Sequence, residues 1–467
     1  MQGRYLFTFR HKYTFARMAY LHKKIIYLSV SALLLAANAI GQPAAKQAGI
    51  PSSGLLPRMD KLAEEINTKV ITWRRDIHQH PELGNREFRT AEKITAHLKS
   101  LGIEVKTGVG KTGVVGLLKG GRPGPVVALR ADMDALPVTE TNDLSFKSTA
   151  TTEYGGKTTG VMHACGHDTH VAMLMGVAEI LAAVKADLKG SVKFIFQPCE
   201  EGPPTGEEGG AKLMVKEGVL DNPRVDVIFG QHISSGNATG VFTYRPGSVS
   251  AENDIFRITI KGKQSHGASP WSGVDPIVTG AQMVMALQTI VSRNMPLTSN
   301  AAVVTVGAFH AGNRENIIPE EAVLIGTIRT LDTTMRNTIY RRINEIAANI
   351  AASAGATATV AISMEDAMLS NNEKLTEEML PTLVAIAGKS NTQLVNAGMG
   401  AEDFAYFAQQ VPGFFFSTGA LPKNKKADEV GHHTPGFEID ESGLINGVKA
   451  LCHLTVNYME HHSINNK

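Results

Sequence analysis

The sequence predicts a two-domain α/β protein in which a smaller α+β domain is inserted into a larger α/β one. Three observations carry that expectation. The chain has 467 residues, more than one hydrophobic core usually organises. From about Asp60 to Ser248, short and nearly continuous apolar runs alternate with helical patterns, as parallel strands buried on both faces do. From about Ala251 the order changes to β-α-β-β-α-β, the split βαβ unit of ferredoxin-like domains.

Taken in order, residues 1–41 read as an export signal. Lys23-Lys24 precede the apolar run Ile25 to Ala37, and Ala39-Ile40-Gly41 forms a small-x-small cleavage site. The run is too short for a comfortable membrane span, so a periplasmic or secreted protein is expected. Strands follow at Val126 to Leu129, Val192 to Phe196 and Val225 to Phe229, with a helix opening at His167 between the first two. Asp132 and Asp134 come after the first strand, Glu200-Glu201 after the second, and Gln231-His232 after the third. Open α/β sheets place their sites beyond such carboxyl ends.

In the second region, strands are expected at Ile255 to Ile260, Ala302 to Phe309, Ala322 to Arg329 and Thr357 to Ile362, with helices at Pro276 to Val291 and Met335 to Ala352. A helix over Leu380 to Ala387 and a core strand over Gly413 to Ser417 then return to the first domain. The expected divisions are a signal at 1–41, a catalytic domain at 60–248 and 364–467, and the insertion at 249–363.

Composition narrows the function. With 43% hydrophobic and 19% charged residues the chain is an ordinary globular one, and a net charge of +2 leaves no basic surplus for nucleic acid. Three cysteines are too few for a disulfide framework even in an exported protein.

The segment His163-Ala164-Cys165-Gly166-His167-Asp168-Thr169-His170 packs a thiol, three imidazoles and a carboxylate into eight residues at a helix N-terminus. A Cys-x-His pair there can put both ligand atoms on one ion. Glu200 and Glu201 are adjacent on an extended segment, so their carboxylates point opposite ways and can take different tasks, one on metal and one facing substrate. With His232 on the next strand, the candidates fall one or two ligands short of a two-metal site, and His433 of the pair His432-His433 closes it best.

These residues sit in a longer series. His163 to His170, Arg130 to Pro137, Phe196 to Gly202, Ser265 to Ala268, Asn316 to Pro319 and Gly400 to Phe404 occur in the order found in a known group. From about Arg74 to Asp440 the chain resembles the dinuclear metal-dependent amidohydrolases and peptidases of aminoacylase and carboxypeptidase G. Within them it is most similar to hippurate hydrolases and plant indole-acetyl-amino-acid hydrolases. The resemblance implies a zinc-peptidase-like catalytic domain with two divalent ions, Zn2+ or Mn2+, with Co2+ a further candidate. It implies an inserted ferredoxin-like lid that mediates a homodimer. Cys165 resembles the ligand that bridges both ions, and His167, Glu201, His232 and His433 the remaining ligands. Glu200 resembles the general base, with Asp134 and Asp168 as carboxylates that orient the ligands. His266 resembles a residue that reaches a partner subunit's site, and Asn316 and Arg329 resemble substrate-binding positions.

The implied reaction is hydrolysis of an N-acyl amino acid to a carboxylic acid and an amino acid. An exported dipeptidase or carboxypeptidase acting on short peptides is the alternative. A metal-binding protein that has lost catalysis would lack the base, and Glu200 is present. Two departures from the group are visible. Cys199 stands where a small inert residue is expected, and the loop 202–210 is longer and more acidic than the shortest versions, which is expected to narrow the mouth of the site.

Overall fold

The computed structural model describes residues 54–463, so the expected signal at 1–41 lies outside the described residues. The chain begins with helices α1 (Leu55–Gln79) and α2 (Phe88–Ser100), then strands β1 (Glu104–Val109), β2 (Gly113–Lys119) and β3 (Arg122–Asp132). Helix α3 (His167–Ala183) leads to β4 (Lys189–Gln197), β5 (Val227–Ala238) and β6 (Phe242–Tyr244). Residues 252–366 hold β7 (Glu252–Lys261), α4 (Pro276–Asn294), β8 (Ala302–Ala311), β9 (Glu321–Thr330), α5 (Thr333–Ser353) and β10 (Thr357–Asp366). The chain closes with α6 (Glu373–Ala387), β11 (Thr392–Leu394), β12 (Gly413–Leu421) and α7 (Leu444–His461).

Eight strands form one mixed sheet in the order β1-β2-β4-β3-β5-β12-β6-β11. Its centre is parallel: β3 pairs with β4 and β5, and β12 with β5. The central strands read as continuous apolar runs because both faces are covered. Leu129, Phe194, Phe229 and Phe414 pack in the core shared with α1, α3 and α7, while Ala128, Ile195, Ile228 and Phe415 face a second core with Phe404 and Phe407. Helix α3 is buried along most of its length, the mark of a helix apolar all round.

Residues 252–366 build an antiparallel sheet in the order β8-β9-β7-β10, the topology of the expected β-α-β-β-α-β unit. Phe256, Ile258 and Ile260 alternate toward one face, where Met283, Leu287 and Ile290 of α4 and Ile339, Ile343 and Ile346 of α5 complete a separate core. The opposite face of β7 is partly open, as Ile255 at 41% exposure shows.

Two boundaries differ from expectation. Gln231 and His232 lie inside β5, which continues to Ala238 because β12 pairs with it through Ser417↔His232 and beyond. Pairing with β3 nonetheless ends at Arg130↔Gly230, so His232 stands past the end of that neighbour. Helix α6 starts at Glu373 rather than Leu380. Asn372 caps it by accepting from Leu375 N at 2.9 Å, and the helix runs through Pro381, which disguises it in the sequence. Among the described residues no helix is long and apolar enough to cross a membrane.

Candidate metal centre

Gly166 lies between Cys165 and His167 in a left-handed conformation, φ 92°, and caps α3 without a side chain. The next turn begins at once, with Thr169 N donating to Gly166 O at 2.9 Å. Cys165 is buried beside the positive end of this helix. Its Sγ is 3.4 Å from His232 Nε2, 3.2 Å from His433 Nε2 and 3.8 Å from His432 Nδ1. Burial opposes ionisation, but the His232 and His167 imidazoles hold the thiol well below its usual range, which favours the thiolate.

Among the described residues five sets of side chains offer ligand atoms that lie within 4.8 Å of one another, and two of them contain Cys165, one with His167 and His232 and one with Glu201 and His433. The thiolate belongs to both. His167 Nε2 and Glu201 Oε1, one from each set, are buried without a hydrogen-bond partner. Glu201 Oε1 does lie 3.0 Å from His433 Nε2, a charge contact that lacks hydrogen-bond geometry. Buried polar atoms left this way are rare, and soft sulfur with imidazole and carboxylate is a donor set suited to divalent ions. The residues fit metal.

Asp134 orders both sets. One oxygen meets His167 Nδ1 at 3.2 Å, and the other accepts from Glu201 N at 3.0 Å. His232 Nδ1 is fixed by Ile233 O at 2.6 Å, which leaves Nε2 toward the sulfur. Asp168, expected to orient a ligand imidazole as Asp134 does, turns instead to His78 Nδ1 at 2.9 Å and Arg74 Nε at 2.8 Å. Its place as the second residue of α3 aims it at α1, and against the pull of burial those two cations hold it ionised.

Glu200 is the free carboxylate. Its side chain is 11% exposed, and the distance to His167 Nε2 is 3.9 Å. Burial, then Glu402, Glu201 and Asp403, push its pKa well above the ordinary carboxylate value. Behind it the buried Arg130 guanidinium ties Asp132 at 2.6 Å to Glu402 and Asp403 at 2.9 Å each. Glu201, by contrast, is held below the usual value despite burial, chiefly by His433.

His266 pairs with Ile317 on a short two-stranded ladder, and Asn316 flanks it, its carbonyl accepting from Gly267 N at 2.8 Å. Arg329 lies on β9 opposite Asn253. Among the described residues, none of these three makes a hydrogen bond or ion pair to the Cys165 cluster. Cys199 is buried at φ 59°, a strained conformation for a residue with a Cβ, and its N–H donates to Glu87 at 2.8 Å. The loop 202–210 is pinned by Glu207, which pairs with Arg86 and Lys111 and accepts from Asn85 at 3.0 Å.

Several residues at the site had no role assigned to them from the sequence. His170 bridges Asp132 and Ile233 N, and its place three residues after His167 on one helix was the available signal. His432 packs on the Phe437 ring at 4.8 Å between centroids and accepts from Ser235 N, while its neighbour His433 meets Glu201. Glu87 is buried below Cys199, its pKa raised to about 8 by burial and by Asp134. No local pattern marks it.

A thiolate, imidazoles and unpaired carboxylates gathered past the ends of parallel strands define a metal-dependent hydrolase. More particularly, the chain belongs to peptidase family M20/M25/M40, whose model matches residues 128–457. Thermostable carboxypeptidase 2 of Saccharolobus solfataricus is 40% identical over 407 residues, 86% of this chain and 99% of its own length. N-acyl-L-amino acid amidohydrolase of Geobacillus stearothermophilus is 43% identical over 297 residues, 63% of this chain and 76% of its own length. Among solved structures, a dinuclear metal binding peptidase of the M20 family from Bacillus subtilis has a TM-score of 0.71 at 33% identity, covering 85% of this chain and 99% of that one.

Proposed function

We propose that the protein hydrolyses the amide bond of N-acyl amino acids at a centre of two divalent ions. Cys165, His167 and His232 would hold one ion, and Cys165, Glu201 and His433 the other. The observation that carries this reading is the single buried thiolate common to both ligand sets. Bound ions would supply Lewis-acid polarisation of the scissile carbonyl and of the attacking water. Glu200 would take the proton from that water and return it to the leaving nitrogen, a task suited to a carboxylate that burial and neighbouring carboxylates hold above its ordinary pKa. Asp134 keeps His167 and Glu201 oriented throughout.

A carboxypeptidase and an N-acyl-amino-acid amidohydrolase, the names carried by two relatives, share one substrate feature. Each cleaves an amide whose nitrogen belongs to an amino acid with a free carboxylate. Arg329, with Asn316, is proposed to bind that group, and His266 to act on a neighbouring subunit's substrate in a homodimer. Export of the chain to the periplasm or medium is part of the same proposal. The short-peptide alternative uses the same centre, and the pinned 202–210 loop bears on which substrates enter.

Assay of hippurate, its C-terminal amide and free-amine dipeptides with Zn2+, Mn2+ and Co2+ tests the reading. Hippurate should be cleaved roughly ten- to a hundred-fold better than the amide, the usual loss for a charge-assisted contact. Equal turnover of the two would remove the carboxylate requirement. Faster cleavage of dipeptides than of any N-acyl amino acid would favour the peptidase alternative.

A further inference from the structure

His170 stands among the candidate ligands with both of its ring nitrogens already taken. It is buried on α3, one turn after His167, and its ring centroid lies 5.5 Å from that of His167 and 4.7 Å from that of His232. With Asp132 and His167 it even brings ligand atoms within 4.8 Å of one another. Its hydrogen bonds give it another task. Nε2 accepts from Ile233 N at 2.8 Å, and because an amide only donates, the ring proton is on Nδ1 and goes to Asp132 Oδ1. The buried Arg130 holds Asp132 from behind through its other oxygen, at 2.6 Å.

Ile233 passes this constraint on. Its N–H meets His170, and its carbonyl accepts from His232 Nδ1 at 2.6 Å, so the backbone of one residue joins the two imidazoles. A carbonyl only accepts. His232 therefore carries its proton on Nδ1 and turns a bare Nε2 toward Cys165 Sγ at 3.4 Å. Asp134 fixes His167 in the same way, at 3.2 Å from Nδ1. In the set Cys165, His167 and His232, both rings are thus oriented by groups that are not ligands.

The set Cys165, Glu201 and His433 is built differently. The His433 side chain is 53% exposed and its backbone has φ 61°. Its ring meets Cys165 Sγ at 3.2 Å and Glu201 Oε1 at 3.0 Å, the two other members of its own set, and among the described residues no group holds its Nδ1. Ordering that ring falls to the ion, and a side chain ordered only on binding lowers affinity.

We infer that His170 is a positioning residue for His232, acting through the backbone of Ile233, and that it makes the Cys165, His167 and His232 position the first to fill and the tighter of the two. The inference rests on the two-ion part of the proposed function and not on the substrate.

The test titrates the metal-free full chain with Zn2+ against a chromophoric chelator. The parent should take up two ions in steps at least about tenfold apart in affinity. His433→Ala should keep the tight step and lose the weak one, and His232→Ala should lose the tight one. His170→Asn can still reach Asp132 but offers nothing to Ile233 N. It should weaken the tight step by about ten- to a hundred-fold, the usual loss when a group that orients a ligand is removed, and leave the weak step within about threefold. His170→Gln, whose longer side chain can accept from Ile233 N, should restore most of that loss, which a role in packing alone would not produce. Should His170→Asn fail to fold, His170→Gln decides, a tight step near the parent's supporting the role and a weakened one overturning it. Equal steps in the parent, loss of the tight step in His433→Ala, or equal weakening of both steps in His170→Asn overturns the inference and leaves the two-ion reading intact. A single ion per chain, bound more weakly in His170→Asn and restored in His170→Gln, keeps the role of His170 and overturns the two-ion reading. A single ion indifferent to both variants overturns both.

Discussion

Gly166 faces Ile233 so closely that a β-carbon on the glycine would lie 2.3 Å from Ile233 Cγ2. Ile233 follows His232 on β5, and Gly166 separates Cys165 from His167, so one steric contact fixes the spacing of three candidate ligands. Gly166→Ala should therefore destabilise the protein by at least about 1 to 3 kcal/mol through its positive φ and crowding. Metal affinity should fall with it. Denaturant unfolding with and without added Zn2+ checks this, and a parent-like midpoint would show that the backbone adjusts freely.

Glu200 and Glu201 should part by phenotype, because one is the free carboxylate and the other lies against His433. Glu200→Gln is expected to retain both ions and lose most of kcat, and Glu201→Gln to lose metal. Elemental analysis beside steady-state kinetics distinguishes them. The reverse pattern would exchange their roles.

Glu252 links charge to stability away from the metal centre. Burial lifts its pKa to about 7, with Asp254 and Asp332 adding and Arg336 opposing, and its Oε1 lacks a hydrogen-bond partner. With the folded pKa above the unfolded one, the folded state binds more protons between about pH 4.5 and 7, so Glu252 costs stability as pH rises through that window. Glu252→Gln should stabilise by on the order of 2 kcal/mol above pH 7 and by little near pH 4.5. Asp254 still holds Arg336 at 3.0 Å in the variant. Thermal melts at both pH values check it; an equal shift at each would contradict the charge argument.

Much of this structure is legible in the sequence, and the exceptions have a common cause. Burial on both faces writes Val126 to Leu129 and Val192 to Phe196 as unbroken apolar runs, so β3 and β4 stand out. The extension of β5 past Phe229 comes from β12, far along the chain, and no local pattern announces it. Cys165, His167, Glu200 and Glu201 are visible because each pair is nearly contiguous. The turn of Asp168 toward Arg74 and His78, and the Arg130 link to Glu402 and Asp403, depend on elements distant in sequence. Glu87 is invisible for the same reason.

The proposed homodimer with His266 acting on its neighbour predicts complementation. His266→Ala and Glu200→Gln subunits, each inactive alone, should recover part of the activity when exchanged into mixed dimers. Size-exclusion chromatography with light scattering first establishes the oligomer. No recovery after confirmed exchange would place His266 outside the neighbouring site.

The most direct measurement is anomalous diffraction at the absorption edge of the bound metal, on crystals of the metal-loaded protein and of Cys165→Ala. A two-ion centre built on one shared thiolate predicts two peaks flanking Cys165 Sγ, one beside His167 and His232 and one beside Glu201 and His433, with both weakened or lost in the variant. A single peak, or two peaks of parent strength in Cys165→Ala, would contradict it.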